Sequence, residues 1–300
     1  MNMTRNEAIR RNSEEIMCRF TRLTAATTWQ RVAEISLTFP TGHPQGLVKI
    51  GEFLYISSVE ITSPPQKLPS PENGYDRTAG EGAGFLFQVD SNGNLVEKLS
   101  LGENSMYHPG GIDYDGRHIW VPVAEYRPNS RSIVYRVTPE TLNAREMFRW
   151  DDHIGGLACN RWNNRLHGIS WGSRAFYDWK FAGVSPWEGE PSEPTGKCFL
   201  NGSFYIDYQD CQFLEPHYML CCGLNVYTLP KIGIVPIGGL ELVDIESHVA
   251  IHQIPVPLYS GTLRPMTQNP FFVELHRDCL RFSFLPDDNE STVYVYDALF

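Results

Sequence analysis

Three histidines stand at comparable places along this chain, each opening a short glycine-bearing run: His43 in HPQGL, His108 in HPGGI and His153 in HIGGL. Aligning the later sequence on these openings sets Asp207 (DYQDCQFL) and Arg264 (RPMTQNPFF) in the same column. Imidazoles, a carboxylate and a guanidinium brought to one place can exchange protons with a substrate, bind an oxygen-rich ligand or hold a metal ion. They can equally bond neighbouring backbone and hold a repeat in register, and His-Pro-Gly-Gly is turn-prone by itself. A His₃Asp metal site would require all four side chains within about 2.0–2.2 Å of one ion. Side chains drawn from four separate repeats are expected to spread wider than that, so no cofactor is assigned, and a bound divalent metal is the less favoured alternative. His108, His153, Asp207 and Arg264 are the candidate catalytic groups, with His43 beside them as a binding residue.

A second column follows the next strands. Glu60 (ISSVE) aligns with Glu125 (VPVAE), next to Arg127 and, one repeat on, Arg174. Carboxylates and guanidinium groups so placed favour ion pairing between repeats over catalysis. Tyr107, Trp171 and Tyr177 supply aromatic surface nearby, and Trp171-Gly172-Ser173-Arg174 at a strand end reads as a pocket wall. These residues complete the candidate substrate-binding set. The chain has no GxSxG elbow, P-loop, HExxH or dinucleotide fingerprint, so serine-nucleophile and nucleotide-cofactor chemistry find no support.

The elements that must position these groups are strands. Period-two apolar patterns and turn signals such as Ser91-Asn92-Gly93-Asn94 and Asp115-Gly116 divide residues 42–300 into successive four-strand units of roughly 45 to 60 residues, near the periods of known propeller repeats. The second unit predicts strands at Ile112–Tyr114, His118–Ala124, Ser132–Val137 and Arg145–Trp150. The fifth is one strand short, while a strand at Gln30–Leu37 belongs to no unit. If that N-terminal strand completes the last unit, the fold is all-β, a closed five-bladed β-propeller. A β-sandwich explains neither the recurring His-x-x-Gly opening nor the matching deficits at the two ends. Ala8, Ile9, Ile16, Met17, Phe20 and Leu23 recur at helical spacing, predicting a short amphipathic helix over 5–23. Residues 1–28 thus form a helical extension and 29–300 a single propeller domain. Three long Pro-rich connections, Thr62 to Ala83, Ala182 to Thr195 and Tyr227 to Gly239, interrupt the pattern, and at least one is expected to lie over a pocket.

Composition narrows the function. With 42% hydrophobic and 20% charged residues the balance is that of a soluble globular protein, and a net charge of -10 without a basic block argues against nucleic-acid binding. No run approaches the roughly 18 apolar residues of a membrane span. No secretory leader is apparent, so Asn201-Gly202-Ser203 and Asn289-Glu290-Ser291 carry no weight as sequons. The seven cysteines include no CxxC pair and read as buried, reduced thiols of a cytoplasmic protein.

The segments YHPGGIDYDG, HIWVPVAEYRPNS, DDHIGG and LHGISWGSR, with the earlier HPQGL, resemble a fungal and bacterial β-propeller family of unknown function, from about Gly42 to Trp179. The chain also resembles, less specifically, fungal biosynthetic propellers of the hetero-Diels–Alderase type, which join a quinone methide to a terpene alkene. That likeness implies a cofactor-independent cyclase acting on an apolar, oxygenated small molecule, with acid/base-assisted loss of water. In that role His108, His153 and Asp207 would handle protons, Arg264 and Arg174 would stabilise negative charge, and Trp171 and Tyr177 would hold the substrate. The alternatives are a metal-dependent hydrolase or lyase and a non-catalytic binding propeller.

Overall fold

The computed structural model describes residues 5–181, 187–190 and 192–299, with side chains from Arg10 onward. The side chains of Ala8 and Ile9, and Pro186 and Pro191 of the second long connection, lie outside the described residues. Helix α1 (Arg5–Phe20) is followed by β1 (Thr28–Ser36). Blade one comprises β2 (His43–Ile50), β3 (Phe53–Ser63), the small hairpin β4 (Lys67–Glu72) and β5 (Tyr75–Arg77), then β6 (Glu81–Val89) and β7 (Leu95–Leu101). Blade two has β8 (Met106–Pro109), β9 (Asp113–Tyr114), β10 (Ile119–Glu125), β11 (Ser132–Thr138) and β12 (Asn143–Trp150). Blade three has β13 (Ile154–Asn160), β14 (Arg165–Ser170), β15 (Ala175–Lys180) and β16 (Thr195–Leu200). Blade four has β17 (Asp207–Leu214), β18 (Tyr218–Leu229), β19 (Gly233–Asp244) and β20 (Val249–Pro255). Blade five has β21 (Phe271–His276), β22 (Cys279–Phe284) and β23 (Thr292–Leu299), and β1 pairs antiparallel with β23 as its fourth strand. The five-bladed propeller is therefore closed by the N-terminal strand, as the matching deficits predict.

The first strands of the blades meet around a central channel, and glycine lets them. Gly46, Gly111 and Gly156 each lie three residues after a column histidine. A Cβ on Gly46 would fall 2.5 Å from the Ile112 nitrogen, and one on Gly111 would fall 2.6 Å from an Asp210 oxygen. Backbone bonds cross between blades there: Gly111 N–H donates to Gly155 O (2.9 Å) and Leu157 N–H to Gly111 O (3.2 Å). The His-x-x-Gly pattern is thus a close-packing signature as well as a chemical one.

Two buried carboxylates tie the channel below the mouth. Asp113 accepts amides from Cys159 (2.7 Å) and Phe213 (3.3 Å), in blades three and four. Asp210 accepts amides from Leu47 (3.0 Å) and Ile112 (3.2 Å), in blades one and two. Burial raises the Asp113 carboxyl to about 7 against these amide bonds, and raises Asp210 well above the usual carboxylate range.

Helix α1 buries Ile16 and Phe20, with Leu23 just beyond it, against Leu220, Phe271 and Phe282 of blades four and five. His252 meets the edge of the Phe20 ring at 5.4 Å and bonds Leu23 O at 2.9 Å. Arg19 Nη1 donates to Arg277 O (2.7 Å) and Cys279 O (3.0 Å), so the helix is held by polar bonds as well as apolar burial.

Three expectations are corrected. The inner strand of blade two starts at Met106 and breaks at Gly110-Gly111, where a Cβ on Gly110 would fall 2.4 Å from Gly155 O and one on Gly111 2.6 Å from an Asp210 oxygen, leaving no room for side chains. Tyr227 to Gly239 is no loop: β18 and β19 continue as a two-stranded arm from Asn225↔Ile237 to Leu229↔Gly233. Its Val, Tyr, Ile and Leu residues favour a strand, and its prolines sit where no ladder bond to a third strand is required. Finally, the cysteines are not all reduced. Cys211 and Cys221, directly opposite on β17 and β18 with Cα atoms 4.1 Å apart, form a disulfide, while Cys18 and Cys198 are exposed. Cys221 and Cys222 do face opposite ways: the Cys222 thiol lies near Asn269 O.

Candidate functional site

The site lies at the end of the channel where the first strands begin. His108 is carried by β8, whose partner is Ala124 on β10, and its ring is buried at 3% exposure. It stacks on Tyr126 at 4.1 Å between centroids and stands 6.3 Å from the His43 ring and 5.9 Å from that of His153. Neither ring nitrogen of His108 has a well-aligned hydrogen-bond partner; only the backbone of His108 itself and of Pro109 comes near, and it offsets little of the burial. Burial, reinforced by the neighbouring His153 and His43, holds its pKa well below the usual histidine value, so it is neutral at pH 7.

The two flanking imidazoles are anchored from behind. His153 Nδ1 lies 2.7 Å from Glu125 O, which can only accept, so Nδ1 carries the proton and Nε2 keeps its lone pair. Burial lowers its pKa to about 4, outweighing that bond. His43 Nδ1 lies 2.7 Å from Asp288 Oδ1. Burial alone would raise Asp288, but His43, Arg264 and the Asn269 amide hold it below the ordinary aspartate value.

With Gln45, Ser170, Trp171, Asp207, Tyr208 and Gln209, the three histidines and Tyr126 line a pocket of about 220 Å³ whose walls are mostly polar. Trp171 sits on a 3-10 turn, Trp171–Ser173, in which Gly172 adopts φ +59°. Its ring meets the edge of His153 at 4.7 Å and lies beneath the Arg77 guanidinium at 5.4 Å. Arg77 ends the β4–β5 hairpin, so the first long connection touches a wall residue of the pocket, Trp171, while none of its own residues lines the cavity. Tyr107 Oη, donating to Ala79 O (2.7 Å), and Arg127, stacked on Tyr75 at 3.4 Å, fasten that strap.

The predicted residues divide accordingly. His43, His108, His153, Asp207 and Trp171 come together in the pocket. Arg174 stands beside it, pairing with Asp207 across blades three and four (3.0 Å) and bonding Gly172 O (2.6 Å). Burial raises the Asp207 pKa against the opposing pull of Arg174. Arg264 does not line the pocket; it reaches His43 indirectly, through Asp288 (2.8 Å). Glu125 is fully buried and bonded to Ser105, Arg127 and Arg131. Burial pushes its pKa up, and those bonds more than offset it. Its pairing is within blade two rather than between blades, and it acts on the pocket by fixing the carbonyl that holds His153. Glu60 is exposed at the end of β3 and outside the pocket. Tyr177 lies on the third strand of blade three, too far from the axis, stacked on Trp179 and bonded to Asp152 (2.8 Å). The sequence reading missed Asp288, Gln45, Tyr126, Ser170, Tyr208 and Gln209. Asp288 sits in Pro286-Asp287-Asp288-Asn289, which carries only a turn signal.

The chain matches the Family of unknown function (DUF6454) over residues 10–300 and belongs to it. No curated protein matches it. Among solved structures it is similar to glutaminyl cyclase of Myxococcus xanthus, at 11% identity and a TM-score of 0.52, over 93% of this chain and 100% of that one. It is also similar to a luciferin-regenerating enzyme, at 9% identity and a TM-score of 0.50, over 92% of this chain and 96% of that one. A tail fibre of Staphylococcus aureus phage P68 matches at 8% identity and a TM-score of 0.50, over 95% of this chain and 56% of the fibre chain. Two of these three are named as enzymes and the third as a tail fibre, so the shared fold leaves activity to be argued from the site. No helix among the described residues is long and apolar enough to cross a membrane.

Proposed function

We propose that the pocket is the active site of an enzyme that transfers protons to and from a small oxygenated molecule. The observation that carries this is His108: a buried neutral imidazole with both nitrogens unpartnered, set between two imidazoles whose Nδ1 atoms are already engaged. A buried polar group without a partner costs about 1–3 kcal/mol, a cost that a bound ligand's hydroxyl or carbonyl offsets. His108 and His153 would exchange protons with the substrate oxygen, and Asp207 with Arg174 would orient it from the blade-four side. The cavity is small enough that only the oxygenated end of a substrate enters it, leaving any apolar remainder against Trp171 and the strap.

Within this proposal the reaction is a dehydrating cyclisation, of which a hetero-Diels–Alder addition is the form suggested by the resemblance. Proton-assisted loss of water would generate the reactive partner in the pocket, and addition would follow above it. Incubating the protein with an o-hydroxybenzyl alcohol and a terpene alkene, with chromatography of the product, tests this form. Turnover is expected for the natural chain and not for a His108→Ala/His153→Ala variant; full activity of the double variant sinks the proton-handling assignment. A cytoplasmic setting is part of the proposal, and burial of the Cys211–Cys221 bond would shield it from thiols there.

A second reading, a divalent ion held by the histidines in a hydrolase or lyase, is favoured by one observation. Imidazoles anchored through Nδ1 with Nε2 free are oriented as metal-bound histidines are. Against it, no three His, Cys, Asp or Glu side chains among the described residues stand at metal-ligand spacing. Metal analysis of the purified protein separates the readings: a stoichiometric ion, lost in His108→Ala, supports the second.

A further inference from the structure

The arm of blade four leaves the body of the propeller. Pairing of β17 with β18 runs up to Asp207↔Leu224, and pairing of β19 with β20 up to Gly239↔Pro255; beyond these the two arm strands pair only with each other. Alternation puts Val226 and Ile234 on one face and Tyr227, Leu229 and Ile237 on the other, with Ile232 at the tip. All six are exposed, Ile232 and Ile234 at 73%. From Leu224 to Leu240 the only charged residue is Lys231, in a chain of net charge -10. An apolar ribbon exposed on both faces and at its tip requires a covering.

The edges and faces of the arm narrow what covers it. Pro236 has no N–H, and its carbonyl accepts Tyr259 Oη at 2.8 Å; Val226 N–H is taken by the Asn225 side chain at 2.8 Å. Strand addition by a second copy or by an extended peptide would therefore find each edge interrupted at its root, on one strand by the engaged Val226 N–H and on the other by Pro236. A flat protein surface would cover one face and leave the other wet. A lipid surface surrounds a projecting ribbon on both faces, and its headgroup phosphates complement a lone lysine at the tip. We infer that this arm docks the protein on the surface of an anionic phospholipid bilayer, with the arm tip at the boundary between headgroups and acyl chains. Exposed Phe204, whose carbonyl is bonded by Asn225, extends the apolar area. Because pocket-lining Asp207 pairs with Leu224 at the arm's root, docking turns the channel mouth toward the lipid.

Co-flotation with vesicles tests the inference, using phosphatidylcholine alone and phosphatidylcholine with phosphatidylserine at about 7:3. The natural chain is expected to float with the mixed vesicles. Lys231→Glu is expected to weaken this about tenfold. Ile232→Ser/Ile234→Ser is expected to abolish it, with an unchanged thermal midpoint because both side chains are solvent-exposed. Val249→Ser/Ile251→Ser, exposed at the other end of the same blade, is expected to float like the natural chain. Failure of the natural chain to float, or flotation of the Ile232/Ile234 variant like the natural chain, overturns the proposal. So does a dimer that dissociates in that variant while neither form binds vesicles.

Discussion

The channel carries two polar layers, and they are satisfied in opposite ways. In the lower layer, the carboxylates of Asp113 and Asp210 accept backbone amides from other blades. In the upper layer, His108 is just as buried yet makes no hydrogen bond through its ring, while its neighbours are bonded on one side only. Burial costs both layers, but only the lower one recovers the cost inside the protein. A buried polar layer that is bonded within the fold serves the fold, and one left unbonded serves something that arrives from outside. The contrast predicts that the lower layer governs stability and the upper one governs ligand chemistry.

The largest effect is expected below. Asp210→Ala strands buried amides of Leu47 and Ile112 in two other blades, and should cost about 3–5 kcal/mol of folding stability. Denaturant titration of purified protein reads this directly; a loss under about 1 kcal/mol would remove the structural role of the lower layer.

Acid comes next, and its sign follows from neutral burial. His153 and His167 have pKa values lowered to about 4 by burial, against about 6.5 when unfolded. Between those values the unfolded chain binds protons that the native chain does not, so stability is present above pH 6.5 and declines as pH falls toward 4. One such histidine contributes about 3 kcal/mol across the window. Asp113 runs the other way: with its pKa raised to about 7, its contribution falls as pH rises from about 4 to 7. Urea midpoints should therefore rise from pH 4 to about 6.5, where the two histidines outweigh Asp113, and fall slightly from there to about 7; Asp113→Asn should steepen the acid limb and remove that fall.

A smaller effect is expected at the upper layer's support. Asp288→Asn removes the charge that Arg264 pairs with and weakens the anchor on His43. About 1 kcal/mol of stability should go, and thermal unfolding would detect it. A loss as large as that of Asp210→Ala would erase the distinction between the layers.

The upper layer was largely legible in the sequence because its chemistry travels with the repeat. His43, His108, His153 and Asp207 share a register that glycine at the third following position preserves in the first three, and the ring of blades brings them together. Arg264 was placed in that column by extension, but residues 256–270 contain no strand, so the register carries no position there. The lower layer was not legible. Asp113 lies in Gly-Ile-Asp-Tyr-Asp and Asp210 in Tyr-Gln-Asp-Cys, which read as turn or surface residues, and the amides they accept from other blades lie 46 to 163 residues away. The disulfide was hidden for the same reason: its cysteines become opposite only once β17 and β18 pair. Tyr177 was misjudged because an aromatic run along one strand does not tell which strand is nearest the axis.

The smallest stability change should come from the residue that matters most to the proposed chemistry. His108→Leu exchanges a ring with two unbonded buried nitrogens for an apolar side chain. The transfer term favours the leucine, while the lost stacking on Tyr126 and the change of shape oppose it. The net should lie within about 1 kcal/mol of zero, with stabilisation as admissible as loss, because no hydrogen bond to the ring is broken. Turnover or ligand binding should nevertheless vanish, and isothermal titration with the same ligand on both proteins reads it. If His108→Leu instead unfolds the protein as Asp210→Ala does, the upper layer is structural after all, and the unbonded nitrogens lose their meaning as a site.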